Sequence, residues 1–243
     1  MRIDTYFTVP EVDGASLAEA TVVVIDVVRA TTTIIEALAN GARAIFPTES
    51  TEDAVRLASS LGREDSILCG ERKGEKIEGF DLGNSPAEFT REVVEDKKLV
   101  MSTTNGTRAL GVAQEGERVL PCAFTNLGAV AAELASADHV TVICAGREDS
   151  FSLDDALCAG HVIQRIIENS GGDADEFELN DASRAARALA QARKPTKRFL
   201  SLAAGGRAVI EIGLEDDLVI CADVDRHDIV VEMSDQQITR AGA

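Results

Sequence analysis

Four short stretches of this chain carry residues that could do chemistry together. In the first, Asp26 follows the β-branched run Val22–Ile25, Arg29 comes three residues later, and Thr31, Thr32 and Thr33 lead into the helix-spaced Ile34, Ile35 and Leu38. The others are Glu71-Arg72-Lys73, then Thr103-Thr104-Asn105 with Thr107 and Arg108, and Gly146-Arg147. A carboxylate at the end of an apolar strand can hold a metal or attack an electrophile. Threonines at a helix entrance stand beside backbone N–H groups with no partner inside the helix, where the helix dipole favours an anion. Arginine suits bidentate binding of phosphate, sulfonate or carboxylate, and lysine acts as a point charge. Asn105-Gly106 fits a tight turn with its N–H groups facing an anion. The competing reading of the first stretch is a capped helix with Asp26 and Arg29 paired across a turn.

These stretches matter only if the fold brings them together. The string reads as alternating strands and helices: strands at Arg2–Val9, Val22–Ile25, Arg43–Phe46, Ser66–Cys69, Lys98–Met101, Arg118–Cys122 and His139–Cys144. Helices run from Ile34, Glu49, Ser85-Pro86, Leu110, Asn126 and Ser152. Such alternation at short spacing builds right-handed βαβ units. It predicts an α/β protein, three-layer α/β/α, with a mostly parallel or mixed sheet and extra C-terminal helices at Asn180–Ala192, Lys197–Ala203 and Gly206–Ile212. Two late strands are predicted at Leu218–Ala222 and Ile229–Met233. In open α/β sheets, ligands bind outside the carboxyl ends of the strands, which is where all four stretches fall. Residues 1–243 read as one domain, with the strand–threonine turn–helix design of 21–40 repeated at 98–113. Between residues 70 and 86 runs a long, charged, glycine-rich connection of the kind that is usually functional.

Composition narrows the partners. The net charge is −18, and only six of the 24 basic residues are lysines. That surface repels nucleic acid and anionic membrane, so both are excluded, and basic groups that gather despite it point to an anionic ligand. Acid spread this evenly, with lysine scarce, is the composition of a salt-adapted cytoplasm. No apolar run reaches membrane-spanning length and the start lacks a signal-peptide core, so a cytoplasmic protein is expected. The five cysteines have no metal-ligand spacing and read as reduced core residues. His139, His161 and His227 lie outside the four stretches, which disfavours zinc or Ser-His-Asp hydrolysis. No dinucleotide or phosphate-loop motif is present. A homodimer is left open.

Among the many acids, position selects Asp26, Asp81 between Gly79-Phe80 and Leu82-Gly83, and Asp154 and Asp155 in the first turn of the helix after Arg147, where complementing the helix dipole is an equal alternative. Two or three such carboxylates with phosphate oxygens would make a Mg²⁺ site. The residues alone therefore lead to Mg²⁺-assisted chemistry on a small polyanion. Non-catalytic sensing of phosphorylated acids is the alternative class.

The strings Ile25-Asp-Val-Val-Arg-Ala-Thr-Thr-Thr33, Gly70-Glu-Arg72, Gly79-Phe-Asp-Leu-Gly-Asn-Ser-Pro86, Thr103-Thr-Asn-Gly-Thr107 and Cys144-Ala-Gly146 through Leu157-Cys-Ala-Gly160 resemble, in order, the 2-phosphosulfolactate phosphatases. The resemblance implies a Mg²⁺-dependent enzyme of coenzyme M synthesis that releases phosphate from 2-phospho-3-sulfolactate. Lys73, Glu75, Glu78 and Asp154 depart from the expected pattern. The expected site has Asp26 and Arg29 as catalytic groups and Asp26, Asp81 and Asp155 as metal ligands. Its substrate contacts are Thr31, Thr32, Thr33, Arg72, Asn84, Ser85, Thr104, Asn105, Gly106, Thr107, Arg108 and Arg147.

Overall fold

The computed structural model describes residues 1–242; Ala243, the end of the expected domain, lies outside them. One sheet of eleven strands runs through the molecule. In chain order the strands are β1 (Arg2–Tyr6), β2 (Thr21–Ile25), β3 (Ala44–Pro47), β4 (Ser66–Arg72), β5 (Glu75–Lys76), β6 (Lys98–Ser102), β7 (Arg118–Cys122), β8 (His139–Cys144), β9 (Glu178–Leu179), β10 (Val231–Ser234) and β11 (Gln237–Arg240). Their spatial order is β5-β4-β6-β3-β11-β10-β7-β2-β8-β1-β9. Two parallel blocks, β4-β6-β3 and β7-β2-β8-β1-β9, are joined by the antiparallel hairpin β10–β11. The sheet is therefore mixed, and residues 231–240 close its centre.

The helices are α1 (Ala30–Ala39), α2 (Thr51–Leu61), α3 (Arg91–Val94), α4 (Gly106–Ala113), α5 (Leu127–Glu133), α6 (Leu153–Ser170), α7 (Asp181–Ala192), α8 (Lys197–Leu200), α9 (Ala204–Glu211) and α10 (Asp217–Cys221). Strand β2 shows why both faces of the sheet need cover. Val22 and Val24 pack with Ile34 and Ile35 of α1 and with Ala109 and Leu110 of α4. Val23 and Ile25 pack on the other face with Val130 of α5 and with Leu157 and Val162 of α6. Successive side chains of a strand point to opposite faces, so a continuous apolar run such as Val22–Ile25 demands a helix layer on each side. That is the three-layer α/β/α arrangement expected. Helix α1 goes further: Ala30 through Leu38 are all buried, including Glu36, which accepts hydrogen bonds from Arg226 and His227 at 2.7 Å.

Two expectations are corrected. Leu218–Ala222 is not a strand but belongs to α10 and its C-cap. A five-residue apolar run cannot be assigned by periodicity alone, and the acids Glu215–Asp217 before it favour a helix start. The second late strand is real but shifted to Val231–Ser234, and its partner β11 was not anticipated. The connection after β4 is also more ordered than a plain loop. Arg72 pairs with Glu75 across the two-residue tip Lys73-Gly74, whose φ angles of 55° and 87° suit a hairpin turn.

Candidate active site

The carboxyl ends of β2, β4, β6 and β8 converge on a cavity of about 40 Å³. It is lined by Asp26 and Arg29 after β2, Glu71, Lys73 and Gly74 around the β4–β5 tip, Thr104 and Asn105 after β6, and Arg147 and Glu148 after β8. Asn84 closes one wall, and Gly205, Ala208 and Val209 of α9 close another. Its enclosed part is small, room for a compact group such as a phosphoryl, and it opens to solvent.

Asp26 is 7% exposed. Its Oδ1 accepts the Ala30 N–H at 3.2 Å, while Oδ2 accepts no hydrogen bond from the described residues. Burial pushes its pKa up to about 7, assisted by the charges of Asp154 and Glu71 and opposed by the Ala30 N–H and Arg29. A Cβ at Gly106 would lie 2.5 Å from the Ala30 Cβ and 2.8 Å from Asp26 Oδ2, so only glycine lets α4 come this close to the carboxylate. Arg29 does not pair with Asp26. Its Nη1 donates to Asp217 Oδ2 at 2.8 Å and its Nη2 to the Gly74 carbonyl at 2.6 Å. Glu71 accepts the Thr104 N–H at 2.7 Å, the Thr104 hydroxyl at 3.1 Å and the Gly74 N–H at 2.7 Å. It thereby ties β4, the hairpin tip and the β6 turn together. Asn84 is 4% exposed, and its Oδ1 is buried without a partner among the described residues.

Other expected residues are present in other roles. The hydroxyls of Thr31, Thr32 and Thr33 donate to the carbonyls of Asp26, Val27 and Asn84 at 2.8, 2.8 and 3.0 Å, and all three side chains are buried. They brace the turn and do not face the cavity. Thr107 does the same in its own turn, donating to the Thr103 carbonyl at 2.8 Å. Ser85 donates to Asp217 at 2.6 Å. Arg72 is engaged by the Glu49 carbonyl and the Ser102 hydroxyl, and Arg108 by Asp149; neither lines the cavity.

The expected metal set is not assembled. Asp81 is held by Arg63 through two hydrogen bonds of 2.9 and 3.0 Å and accepts the Leu68 N–H, away from the cavity. Asp155 accepts the N–H groups of Val27 and Gly146 at 2.9 and 3.1 Å, bracing two strand ends from behind. Its carboxyl pKa is pushed well up by burial and by the charges of Asp154 and Asp26. Asp154 is raised as well, chiefly by burial. Sequence reasoning named Glu71 and Lys73 as strand-end groups without placing them in the site. It gave no site role to Gly74, Glu148, Asp217 or the helix expected at Gly206–Ile212. Asp217 sits in the acidic run Glu215–Asp217, which nothing distinguishes from the surface acids of a chain with 42 of them.

The sequence profile of the 2-phosphosulpholactate phosphatases matches residues 6–236. The chain belongs to the 2-phosphosulfolactate phosphatase family. Its relatives include a probable 2-phosphosulfolactate phosphatase of Clostridium perfringens (strain 13 / Type A), 38% identical over 98% of this chain and 96% of the relative. A second, from Clostridium beijerinckii, is 38% identical over 98% and 99%. A third, from Thermotoga petrophila, is 38% identical over 84% and 85%. The family is one of phosphoric monoester hydrolases, so the chain is an enzyme, and the sensor alternative falls away.

The charges at the cavity can now be counted. Arg29 is matched by buried Asp217, whereas Lys73 and Arg147 form no ion pair among the described residues. Against those two cations stand the carboxyls of Asp26, Glu71 and Glu148 in the lining; burial raises the pKa of Asp26, and of nearby Asp154 and Asp155, so these three carry full charge only when a cation joins them. A phosphorylated substrate adds further negative charge to a wall that is already acidic. Among the described residues no group of three His, Cys, Asp or Glu side chains could hold a metal by itself. The donors present, an Asp26 oxygen free of hydrogen bonds and the neighbouring Glu71, therefore fit a cation that takes one or two carboxylates and completes its shell with water and substrate oxygens. That is the habit of Mg²⁺.

Proposed function

We propose that this chain is a Mg²⁺-dependent phosphatase that hydrolyses 2-phospho-3-sulfolactate to 3-sulfolactate and inorganic phosphate. The observation that carries the reading is the acidic wall: Asp26 and Glu71 are buried where a phosphate ester must bind, and neither forms an ion pair among the described residues. Asp26, with Glu71 beside it, would hold the metal. When bound, Mg²⁺ would supply charge neutralisation at the phosphoryl oxygens and a bound water of lowered pKa.

The remaining work falls to the chain's own groups. Arg29 keeps N–H donors beyond the two engaged by Asp217 and Gly74, and directs them at the phosphoryl oxygens. Asn84 lines the same cavity, and its amide N–H₂ is the end that could donate to that ligand. The cavity accepts the phosphoryl group, so the sulfonate and carboxylate remain at the mouth, where Arg147 and Lys73 stand unpaired. Water excluded by α9 and the β4–β5 tip strengthens each of these contacts. The five cysteines are free and buried, as in a reducing compartment, and we place the reaction in the cytoplasm.

Phosphate release measured over a panel of phosphorylated 2-hydroxy acids, with Mg²⁺ and with chelator, tests the proposal. The expected result is turnover of 2-phospho-3-sulfolactate in preference to phospholactate, lost on chelation. Full turnover in chelator with metal content verified as nil, or equal turnover across the panel, overturns it.

A further inference from the structure

We propose that Asp217 is a positioning residue of this active site, acting through Arg29; the inference rests on the phosphatase reading above. Asp217 is 3% exposed and begins α10, 188 residues along the chain from Arg29. One of its oxygens is engaged by a group of the cavity wall and the other by the residue next to one. Oδ2 accepts Arg29 Nη1 at 2.8 Å, and Oδ1 accepts the Ser85 hydroxyl at 2.6 Å. Ser85 is the neighbour of Asn84, the wall residue whose Oδ1 has no partner. One carboxylate therefore sets the position of the arginine and of the segment that presents Asn84.

Stability does not account for this arrangement. The side chains of Arg29 and Asp217 are 2% and 4% exposed. A buried ion pair of this kind is often matched or bettered in stability by apolar residues of similar volume. What the pair provides and apolar residues would not is direction. The guanidinium is held at two points, Asp217 on one side and the Gly74 carbonyl on the other, so its remaining N–H groups have one orientation. The pair is also neutral as a unit. Arg29 then acts as a fixed hydrogen-bond donor, and long-range attraction of the anion is left to Lys73 and Arg147. Groups fixed before the reaction need no reorganisation as charge develops, which is how one donor comes to matter by orders of magnitude.

A double-mutant cycle tests the assignment, because only a residue acting through Arg29 loses its effect when Arg29 is altered. The four proteins are wild type, Asp217→Asn, Arg29→Lys and the double variant. Each is read by steady-state phosphate release per folded molecule, by melting temperature and by calorimetric binding of inorganic phosphate. Asp217→Asn alone is expected to lower kcat about a hundredfold and change KM less than about threefold. In the Arg29→Lys background the same change should cost less than about threefold further. Equal losses in both backgrounds would show that Asp217 acts independently of Arg29. An unchanged kcat with a lowered melting temperature would make it a brace of the fold. Either result overturns the proposal. If Asp217→Asn does not fold, Asp217→Glu keeps the charge, shifts the fork and takes its place in the cycle under the same criterion. If the wild type fails to hydrolyse 2-phospho-3-sulfolactate, the substrate reading fails. The phosphate-binding cycle then still decides the role of Asp217 by the same non-additivity.

Discussion

Two parts of this molecule share one local design and differ in what they do. The unit β2–α1 and the unit β6–α4 each run from an apolar strand through a threonine-containing turn into a helix. In both, a threonine hydroxyl closes the turn on a backbone carbonyl: Thr31 on Asp26, Thr107 on Thr103, each at 2.8 Å. The threonines are therefore turn chemistry in both places. The difference lies in the residues between strand end and helix. The first unit carries Asp26 and Arg29 into burial, where Asp217 and Gly74 from distant parts of the chain fix the arginine. The second presents Thr104 and Asn105 to the cavity but leaves its arginine, Arg108, outside on Asp149. A local pattern delivers side chains to a sheet edge, and the elements packed against that edge decide which of them can act.

The largest effect should come from removing the first unit's carboxylate. Asp26→Asn is expected to lower turnover at least about a thousandfold while the protein stays folded, because charge is lost and shape is kept. It also has a stability signature in chelator. The folded pKa of Asp26, about 7, lies above its unfolded value of 3.8. The native state thus holds a proton that the unfolded state has released. That contribution to stability is fully present below the unfolded value and is lost as pH rises through about 7. The melting temperature of wild type should therefore fall relative to Asp26→Asn between about pH 4 and pH 7. A constant difference across that range would show that Asp26 is not held protonated by burial.

How much of this was legible in the chain follows the same division. Val22–Ile25 announced a strand buried on both faces, and Asp26 and Arg29 at its end were picked out because strand ends bear ligands. Both readings needed only local pattern. Asp81 was picked out because its flanking glycines and apolar residues suggested a special place, whereas the partner that holds it outside the cavity lining, Arg63, lies 18 positions away in an ordinary surface string. Asp217 was missed because a short apolar run after three acids reads equally as strand or helix, and its partner lies near the other end of the chain. What sequence pattern could not supply was pairing at long separation, and pairing is what sorts the arginines into buried donor, surface bridge and free cation.

The arginines give the next contrast. Arg29→Lys keeps the charge and loses the fork, and should reduce kcat about a hundredfold. Arg108→Ala, its counterpart in the second unit, should change kcat less than about twofold. Comparable losses in the two variants would mean that the β6–α4 unit contributes its arginine to the reaction after all. A smaller effect is expected at the cavity mouth. Arg147→Ala should raise KM for 2-phospho-3-sulfolactate about tenfold, and leave KM for phospholactate within about twofold. An equal rise for both substrates would assign Arg147 to the phosphate rather than to the sulfonate.

The central claim is that Asp26 holds a metal beside the phosphoryl group, and calorimetric titration of Mg²⁺ in the presence of inorganic phosphate tests it most directly. Wild type should bind Mg²⁺ with measurable heat, and Asp26→Asn, folded to the same extent, should bind it at least about a hundredfold more weakly. Equal Mg²⁺ affinity in the two proteins would contradict the account.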